Sequence, residues 1–275
     1  MHRNFSLLTA IIVTAILYSC AAKPYATTNK QYKKLAKELA RQISATPKDS
    51  LMADSMKLPS NWVGTINFGL RKPNSVIIHH TAQKSCEQTL KTFTLERTQV
   101  SAHYVICKDG TLHHMLNNYL RAWHAGAGKW GGQTDINSSS IGIEIDNDGT
   151  EIFTEAQMNC LMGLLATLKK TYAIPAANFI GHGDIAPTRK VDPNVNFPWK
   201  NLADNGFGLW YSDTTGIEVP LDFNTSYALR IVGYDISNLA AATQAFRRHF
   251  LSVERPGEFT EQEIKVLYVL MKKYL

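Results

Sequence analysis

The chain has 275 residues, of which 44% are hydrophobic and 19% charged, and its formal net charge is +6. This length and composition allow one substantial core and a small second domain, and they exclude a disordered, collagen-like or repeat protein. Lysines and arginines are scattered, and no RNA- or DNA-binding motif gathers them, so the charge does not predict a nucleic-acid partner.

The first segment, residues 1–19, has the pattern of an export signal. Arg3 precedes an apolar run over residues 7–17, which is too short to cross a bilayer as a helix but suits the core of a signal peptide. The run ends at Leu17-Tyr18-Ser19-Cys20, which resembles a bacterial lipobox, where the cysteine is lipidated and becomes the new N-terminus. We therefore expect an exported protein that Cys20 anchors to the periplasmic face of the outer membrane. Ordinary cleavage that discards the cysteine is the alternative.

Residues 20–60 are predicted to form a tether behind this anchor. Apolar residues recur within it at helical spacing among lysines: Tyr32, Leu35, Ala36, Leu39 and Ile43. This spacing predicts a short amphipathic helix with a solvated basic face.

The remaining cysteines are Cys86, Cys107 and Cys160, an odd number for an oxidising compartment. At least one of them is therefore expected to be unpaired. None has metal-ligand spacing, and we interpret all three as small buried hydrophobic residues.

Residues 61–205 alternate strand and helix patterns. Val76-Ile77-Ile78 predicts a buried strand with His79 and His80 at its carboxyl end, where functional groups of open α/β sheets tend to lie. The Asp109-Gly110 pair between two short strands predicts a hairpin, which makes the sheet mixed.

A second predicted strand has an aliphatic face and an acidic face, because Ile141, Ile143 and Ile145 alternate with polar or small residues. Its Glu144 points away from the isoleucines. Capping patterns predict a helix after each of these strands, and one more short strand is expected to end just before His182.

Residues 206–275 are predicted to form an all-α domain. Residues 239–250 have apolar side chains at helical spacing, and Thr260 with Glu263 predicts the capped start of a final helix. The predicted fold class is therefore α/β, with a mixed central β-sheet flanked by helices and a small all-α C-terminal bundle.

Five motifs occur in order between about residues 62 and 200: Ile78-His79-His80-Thr81-Ala82, Ser101-Ala102-His103-Tyr104, Ala122-Trp123-His124-Ala125-Gly126, Ser140-Ile141-Gly142-Ile143-Glu144 and Gly181-His182-Gly183-Asp184-Ile185-Ala186-Pro187. Together they resemble the type-2 N-acetylmuramoyl-L-alanine amidases, zinc enzymes related to peptidoglycan recognition proteins. The resemblance implies Zn²⁺ as cofactor and hydrolysis of the amide bond between N-acetylmuramic acid and L-alanine in peptidoglycan or its fragments.

The resemblance also implies the residues of the reaction. His79, His182 and Asp192 would bind zinc, Glu144 would be the general base, and Lys190 would be the electrophilic helper. Two imidazoles and one carboxylate leave the fourth position of a hydrolytic zinc free for water, so this set is chemically complete.

Four further residues are expected on the substrate side. The resemblance implies that Trp123 and His124 lie in the groove beside the scissile bond, and that His80 faces the substrate or the rim of the cleft. The guanidinium of Arg121 suits a carboxylate of the stem peptide, although a solvated arginine is the alternative.

One histidine and one aspartate are expected to have structural roles. His103 is predicted to fill a hydrogen-bonded place behind the site, and Asp184 to stabilise the turn in which it lies rather than to bind metal.

The segment around Tyr234-Asp235 and residues 243–250 resembles a peptidoglycan-binding-like domain that follows some of these amidases. A structural cap on the catalytic domain is the alternative interpretation.

The alternative function is a non-catalytic peptidoglycan-recognition protein of the same fold. Such a protein is expected to lack a ligand or the base, whereas this chain has every candidate. A zinc peptidase is disfavoured because no His-Glu-x-x-His helix occurs. A cysteine hydrolase is disfavoured because neither Cys86 nor Cys107 lies in a nucleophile motif.

Overall fold

The structure of the protein is a computed structural model that describes residues 24–44 and 65–275. The predicted signal peptide, the lipidation candidate Cys20 and residues 20–23 and 45–60 of the predicted tether lie outside the described residues. The chain divides into two compact units, Met1–Phe68 and Gly69–Leu275. Among the helices of the described residues, none is both long and apolar enough to cross a bilayer.

The first unit contains one described helix, α1, which spans Ala26–Ser44. It confirms the amphipathic helix predicted within the tether. None of its residues is buried, and Leu35, Leu39 and Ile43 of the predicted apolar stripe are exposed.

The second unit is built on a five-stranded sheet with the order β3-β2-β4-β1-β5. Its strands are β1 Ser75–His80, β2 Tyr104–Ile106, β3 Leu112–His114, β4 Ser140–Ile145 and β5 Phe179–Gly181. β1 pairs in parallel with β4 and β5, β2 pairs in parallel with β4, and the β2–β3 hairpin is antiparallel. The predicted mixed sheet is confirmed.

Helices follow or flank these strands: α2 Cys86–Thr94, α3 Ile136–Ser139, α4 Glu155–Tyr172, α5 His182–Ile185 and α6 Trp199–Asp204. The predicted capping of α2 and α4 is confirmed, since Ser85 accepts the Gln88 N–H and Thr154 accepts the Gln157 N–H. These caps satisfy N–H groups that a first turn leaves without partners.

The two faces of the sheet pack against different hydrophobic clusters. On β1, Val76 and Ile78 belong to the main core, which leucines of α4 cover, whereas Ile77 belongs to a smaller cluster on the other face. Because side chains alternate along a strand, His79 shares the face of Ile77, and His80 shares the main-core face.

The cysteines differ from the prediction. Cys86 at the start of α2 forms a disulfide with Cys107, which follows β2, across a Cα–Cα distance of 5.3 Å. The interpretation of these two as small buried hydrophobic residues is therefore wrong. Among the described cysteines, Cys160 is unpaired and half-buried, which agrees with the expectation that at least one thiol stays free.

The C-terminal part is helical, as predicted, with α7 Thr225–Val232, α8 Leu239–Leu251 and α9 Glu261–Met271. Leu229, Phe246 and Leu267 are fully buried in the core between these helices. Thr260 and Glu263 form the predicted capping box of α9. These helices belong to the same compact unit as the sheet.

Asp184 of α5 connects the C-terminal helices to the end of β5. Its Oδ2 accepts the Gly181 N–H at 2.8 Å and lies 2.7 Å from Nδ1 of His249, while its Oδ1 accepts the Tyr234 hydroxyl at 2.8 Å. The His249 ring also stacks on Trp199 at 3.9 Å between centroids. The prediction that Asp184 stabilises its turn is confirmed, and its partners come from α8 and from the loop after α7.

Replacing His249 with alanine is expected to lower the free energy of unfolding by about 3 kcal/mol. The substitution removes a hydrogen bond to a buried carboxylate and leaves a cavity beside Trp199. Urea unfolding of the variant and of His113→Ala, which truncates a half-buried histidine on the edge strand, gives the comparison. Equal stability of the two variants would contradict this role of His249.

Candidate metal centre

Three side chains from distant parts of the sequence converge at one edge of the sheet. β1 and β5 are parallel neighbours, and Ile78 is aligned with Gly181. His79 directly follows Ile78, and His182 directly follows Gly181. The two histidines therefore lie side by side at the carboxyl ends of β1 and β5. Asp192 reaches the same place from the loop that follows α5.

The three side chains offer atoms close enough to share one ion. His79 Nδ1 lies 3.0 Å from His182 Nδ1 and 3.1 Å from Asp192 Oδ2, and His182 Nδ1 lies 3.0 Å from the same oxygen. The exposed fractions of the three residues are 1%, 4% and 8%. Two atoms that bind one tetrahedral zinc at about 2.0–2.1 Å lie about 3.3 Å apart, so this triangle fits such an ion.

The protonation states also suit metal binding, which needs neutral imidazoles and an ionised carboxylate. Burial and the neighbouring His182 lower the pKa of His79 to about 4. Burial alone would raise the pKa of Asp192, but its contacts with His182 and His79 outweigh it and bring the pKa well below its usual range. These residues can therefore hold a divalent metal ion.

Glu144 lies beside this group. It is in register with His79 on the adjacent strand β4 and lies on the same face of the sheet. Its Oε2 is buried and has no hydrogen-bond partner among the described residues. Burial raises the pKa of Glu144 well above its usual range, and the charge of Asp192 raises it further.

Lys190 is half-buried and lies two residues before Asp192. Its positive charge lowers the pKa of both His79 and Glu144, although burial is the largest influence on each. Lys190 is therefore within electrostatic reach of the group, where its predicted role needs it.

His124, predicted to lie in the groove beside the scissile bond, is buried behind His79. It is 8% exposed, and its Nδ1 lies 3.1 Å from His79 Nε2. A Cβ on Gly142 would lie 2.5 Å from the His124 ring, so the glycine leaves the space that the ring fills. The backbone N–H groups of His124 and Ala125 both donate to Asn137 Oδ1, which fixes this segment.

His80 also differs from its prediction. It lies on the main-core face of β1, is 8% exposed, and its Nδ1 accepts the backbone N–H of Asn194 at 3.1 Å. This placement is on the opposite side of the strand from His79, so the structure does not bring His80 to the metal-binding group.

Arg121 and Trp123 are at the surface. The Arg121 guanidinium donates to Asp135 Oδ1 at 2.9 Å and to Ser138 Oγ at 3.0 Å, so it is already paired. Trp123 is 47% exposed, and its backbone N–H donates to Ser101 Oγ. Contact of either side chain with substrate stays a prediction.

His103 is fully buried and hydrogen-bonded, which confirms its structural role. Its Nδ1 accepts the Gly142 N–H at 3.1 Å, and its Nε2 lies 3.1 Å from the Leu120 carbonyl oxygen and 3.0 Å from a nitrogen of Arg71. Burial lowers the pKa of His103 to about 4, and the charge of Arg71 contributes. The ring is therefore neutral near pH 7.

His103 makes stability fall with acid. Its ordinary pKa is 6.5, so between pH 6.5 and about 4 the unfolded chain binds a proton that the folded chain does not. The titration of His103 therefore does not affect the free energy of unfolding above pH 6.5, and it lowers that free energy by about 3 kcal/mol as the pH drops to about 4. His103→Asn keeps an acceptor for Gly142 but does not titrate, so its stability is expected to fall less over this window. Urea unfolding of both proteins at several pH values, with a chelator present, measures the two slopes, and equal slopes would refute the assignment.

Ser140 and Gly142 had no predicted role, although both lie in a motif with Glu144. Ser140 Oγ lies 3.1 Å from His124 Nε2, and Gly142 makes room for that ring. Residues 140, 142 and 144 share one face of β4 because side chains alternate. This period of two was the signal that could have connected them.

Comparison with known proteins gives concordant matches. The family model described as N-acetylmuramoyl-L-alanine amidase matches residues 69–195. N-acetylmuramoyl-L-alanine amidase AmiD of Escherichia coli is 30% identical over 232 residues, which cover 72% of this chain and 82% of that protein. The 1,6-anhydro-N-acetylmuramyl-L-alanine amidase AmpD of Salmonella typhimurium is 41% identical over 101 residues, which cover 37% of this chain and 54% of that protein.

Two solved structures extend the similarity in three dimensions. E. coli AmiD in complex with its substrate anhydro-N-acetylmuramic acid-L-Ala-D-gamma-Glu-L-Lys superposes with a TM-score of 0.67 at 27% identity, over 81% of this chain and 97% of that one. AMPDH3 of Pseudomonas aeruginosa in complex with anhydromuramic pentapeptide superposes with a TM-score of 0.66 at 27% identity, over 82% and 99%.

Proposed function

The chain belongs to the N-acetylmuramoyl-L-alanine amidase family, and on this premise we propose that it cleaves its substrate with a zinc ion held by His79, His182 and Asp192. The bond cleaved is the amide between N-acetylmuramic acid and L-alanine in peptidoglycan or its fragments. The observation that carries the zinc proposal is the triangle of two imidazole nitrogens and one carboxylate oxygen, 3.0–3.1 Å apart and buried at the sheet edge.

The residues of the chain divide the work of hydrolysis. A bound zinc ion supplies a Lewis acid that makes water nucleophilic near neutral pH. Glu144, next to His79, takes the proton of the attacking water and then delivers it to the leaving amine as the carbon–nitrogen bond breaks. The ammonium group of Lys190 stabilises the negative charge that develops on the carbonyl oxygen.

Substrate contacts are proposed for the exposed side chains near this edge. The half-exposed ring of Trp123 offers an apolar surface to the sugar or the peptide. Arg121 suits a stem-peptide carboxylate, which would take the place of Asp135 on the guanidinium.

Digestion of purified sacculi and of an anhydro-muramyl peptide tests the proposal. We expect new L-alanine amino termini and free muramic acid lactyl carboxyl groups, loss of both products after chelation, and recovery when zinc is added back. Cleavage at another bond, or undiminished cleavage by protein shown to be free of metal, would overturn the proposal. Binding to sacculi without release of ends would instead support the non-catalytic recognition protein.

We also propose that Cys20 is lipidated and anchors the exported protein to the membrane of the bacterial cell envelope, at the periplasmic face of the outer membrane. The apolar run before it and the lipobox-like sequence support this proposal. The Cys20→Ala variant is expected to leave the membrane fraction. The control variant Cys160→Ala, which keeps Cys20, is expected to stay there. A Cys20→Ala variant that remains membrane-bound would defeat the proposal.

A further inference from the structure

A chain of hydrogen bonds extends from His79 into the protein, away from the metal-binding atoms. Ser140 Oγ donates to the Ile136 carbonyl oxygen at 2.7 Å and lies 3.1 Å from His124 Nε2. His124 Nδ1 lies 3.1 Å from His79 Nε2. All three side chains are buried.

The donor and the acceptor of each hydrogen bond in this series can be assigned by starting from the Ile136 carbonyl group. A carbonyl oxygen only accepts, so the single hydroxyl hydrogen of Ser140 is donated to Ile136. Ser140 Oγ can then only accept from His124, which places a hydrogen on His124 Nε2.

The hydrogen position on His124 determines the hydrogen position on the proposed metal ligand His79. His124 is buried, and its side-chain partners within residues 24–44 and 65–275 include no carboxylate, so its ring is neutral and holds one hydrogen, at Nε2. His124 Nδ1 is therefore an acceptor, and the hydrogen between the two rings belongs to His79 Nε2. A neutral His79 with hydrogen on Nε2 has a free lone pair on Nδ1, the atom that faces His182 and Asp192.

We propose that Ser140 and His124 are positioning residues that fix the tautomer of His79, so that Nδ1 presents its lone pair to the metal ion. The inference rests on the proposed function for the identity of the metal, but the tautomer exists in the metal-free protein. The ring nitrogen of a metal ligand that does not bind the ion commonly donates to a partner that orients the ring, and here that partner is a second histidine.

The placement of His124 is built into the fold from two sides. Gly142 on β4 leaves the space for its ring, and Asn137 of α3 holds the backbone on either side of its peptide. One face of β4 thus contributes a hydroxyl that orients the ring, a gap that admits it and, at Glu144, the proposed base.

Nitrogen NMR of the full, metal-free chain labelled with ¹⁵N-histidine tests the proposal without any substitution. Long-range correlations distinguish a protonated from a bare ring nitrogen, and we expect His79 and His124 both to carry hydrogen on Nε2. Hydrogen on Nδ1 of His79 in this protein would overturn the proposal.

Ser140→Ala removes the hydroxyl and is expected to give a mixture of His79 tautomers and zinc affinity about 10–100-fold weaker, measured by competition with a chromophoric chelator. Ser139→Ala is the matched control, because it removes the adjacent hydroxyl, which bonds to Gln133 and Ile136 instead. If Ser140→Ala matched Ser139→Ala in tautomer and zinc affinity, the proposal would fail. If the tautomers and the zinc affinity are as expected but the protein does not cleave muramyl peptides, the proposed function is wrong and this inference still holds.

Discussion

Replacing Asp192 with asparagine is expected to abolish zinc binding and amide hydrolysis together. The Asp192 carboxylate supplies the only negative charge among the three proposed ligands, and its Oδ2 lies within 3.1 Å of both histidine nitrogens. Asparagine keeps the size of the side chain but leaves a buried divalent ion without that charge. The loss of affinity should exceed the roughly 10–100-fold that removal of an outer-shell partner costs.

Metal analysis after dialysis and turnover of an anhydro-muramyl peptide measure this result. Asp222→Asn is the matched control, because Asp222 is an exposed aspartate outside the site, and the variant should keep both metal and activity. A zinc-loaded and active Asp192→Asn protein would show that the ligand set is wrong.

Replacing Glu144 with glutamine is expected to lower kcat by about 10²–10⁴ while zinc content stays the same. Glutamine has almost the same shape but cannot accept a proton from water or pass it to the leaving amine. Glu144 contributes no atom to the metal-binding triangle, so replacing its carboxylate leaves that triangle intact.

Steady-state kinetics separate this role from substrate binding, since loss of a proton-transfer group lowers kcat more than it raises KM. Glu218→Gln, which neutralises an exposed glutamate, should match the unsubstituted protein. If Glu144→Gln lost its zinc in step with its activity, Glu144 would be part of the metal site rather than the base.

Strand topology makes the meeting of the two histidines of the metal-binding triangle predictable, whereas Asp192 lies on a loop and was implied only by the family resemblance. An aliphatic run that ends in histidine predicts a buried strand with a polar group at its carboxyl end, and the carboxyl ends of parallel neighbours meet at one edge. His79 and His182 obey this rule on β1 and β5, and Glu144 obeys it on β4. Alternation along β4 also placed Glu144 on the face away from the isoleucines.

The second layer of the site was not predictable in the same way. His124 lies in a loop with no period, and its position depends on the missing side chain of Gly142 and on the amide of Asn137. The disulfide between Cys86 and Cys107 joins the start of a helix to the end of a strand, and spacing along the chain does not reveal which ends approach each other.

The contacts of Asp184 have a consequence for how the molecule melts. The Asp184 carboxylate lies two residues from the proposed metal ligand His182 and accepts hydrogen bonds from a hydroxyl and an imidazole of the C-terminal helical part, so neither part can open without exposing the other. Calorimetry should therefore record one cooperative transition for residues 69–275, and added zinc should move that whole transition to higher temperature rather than split it.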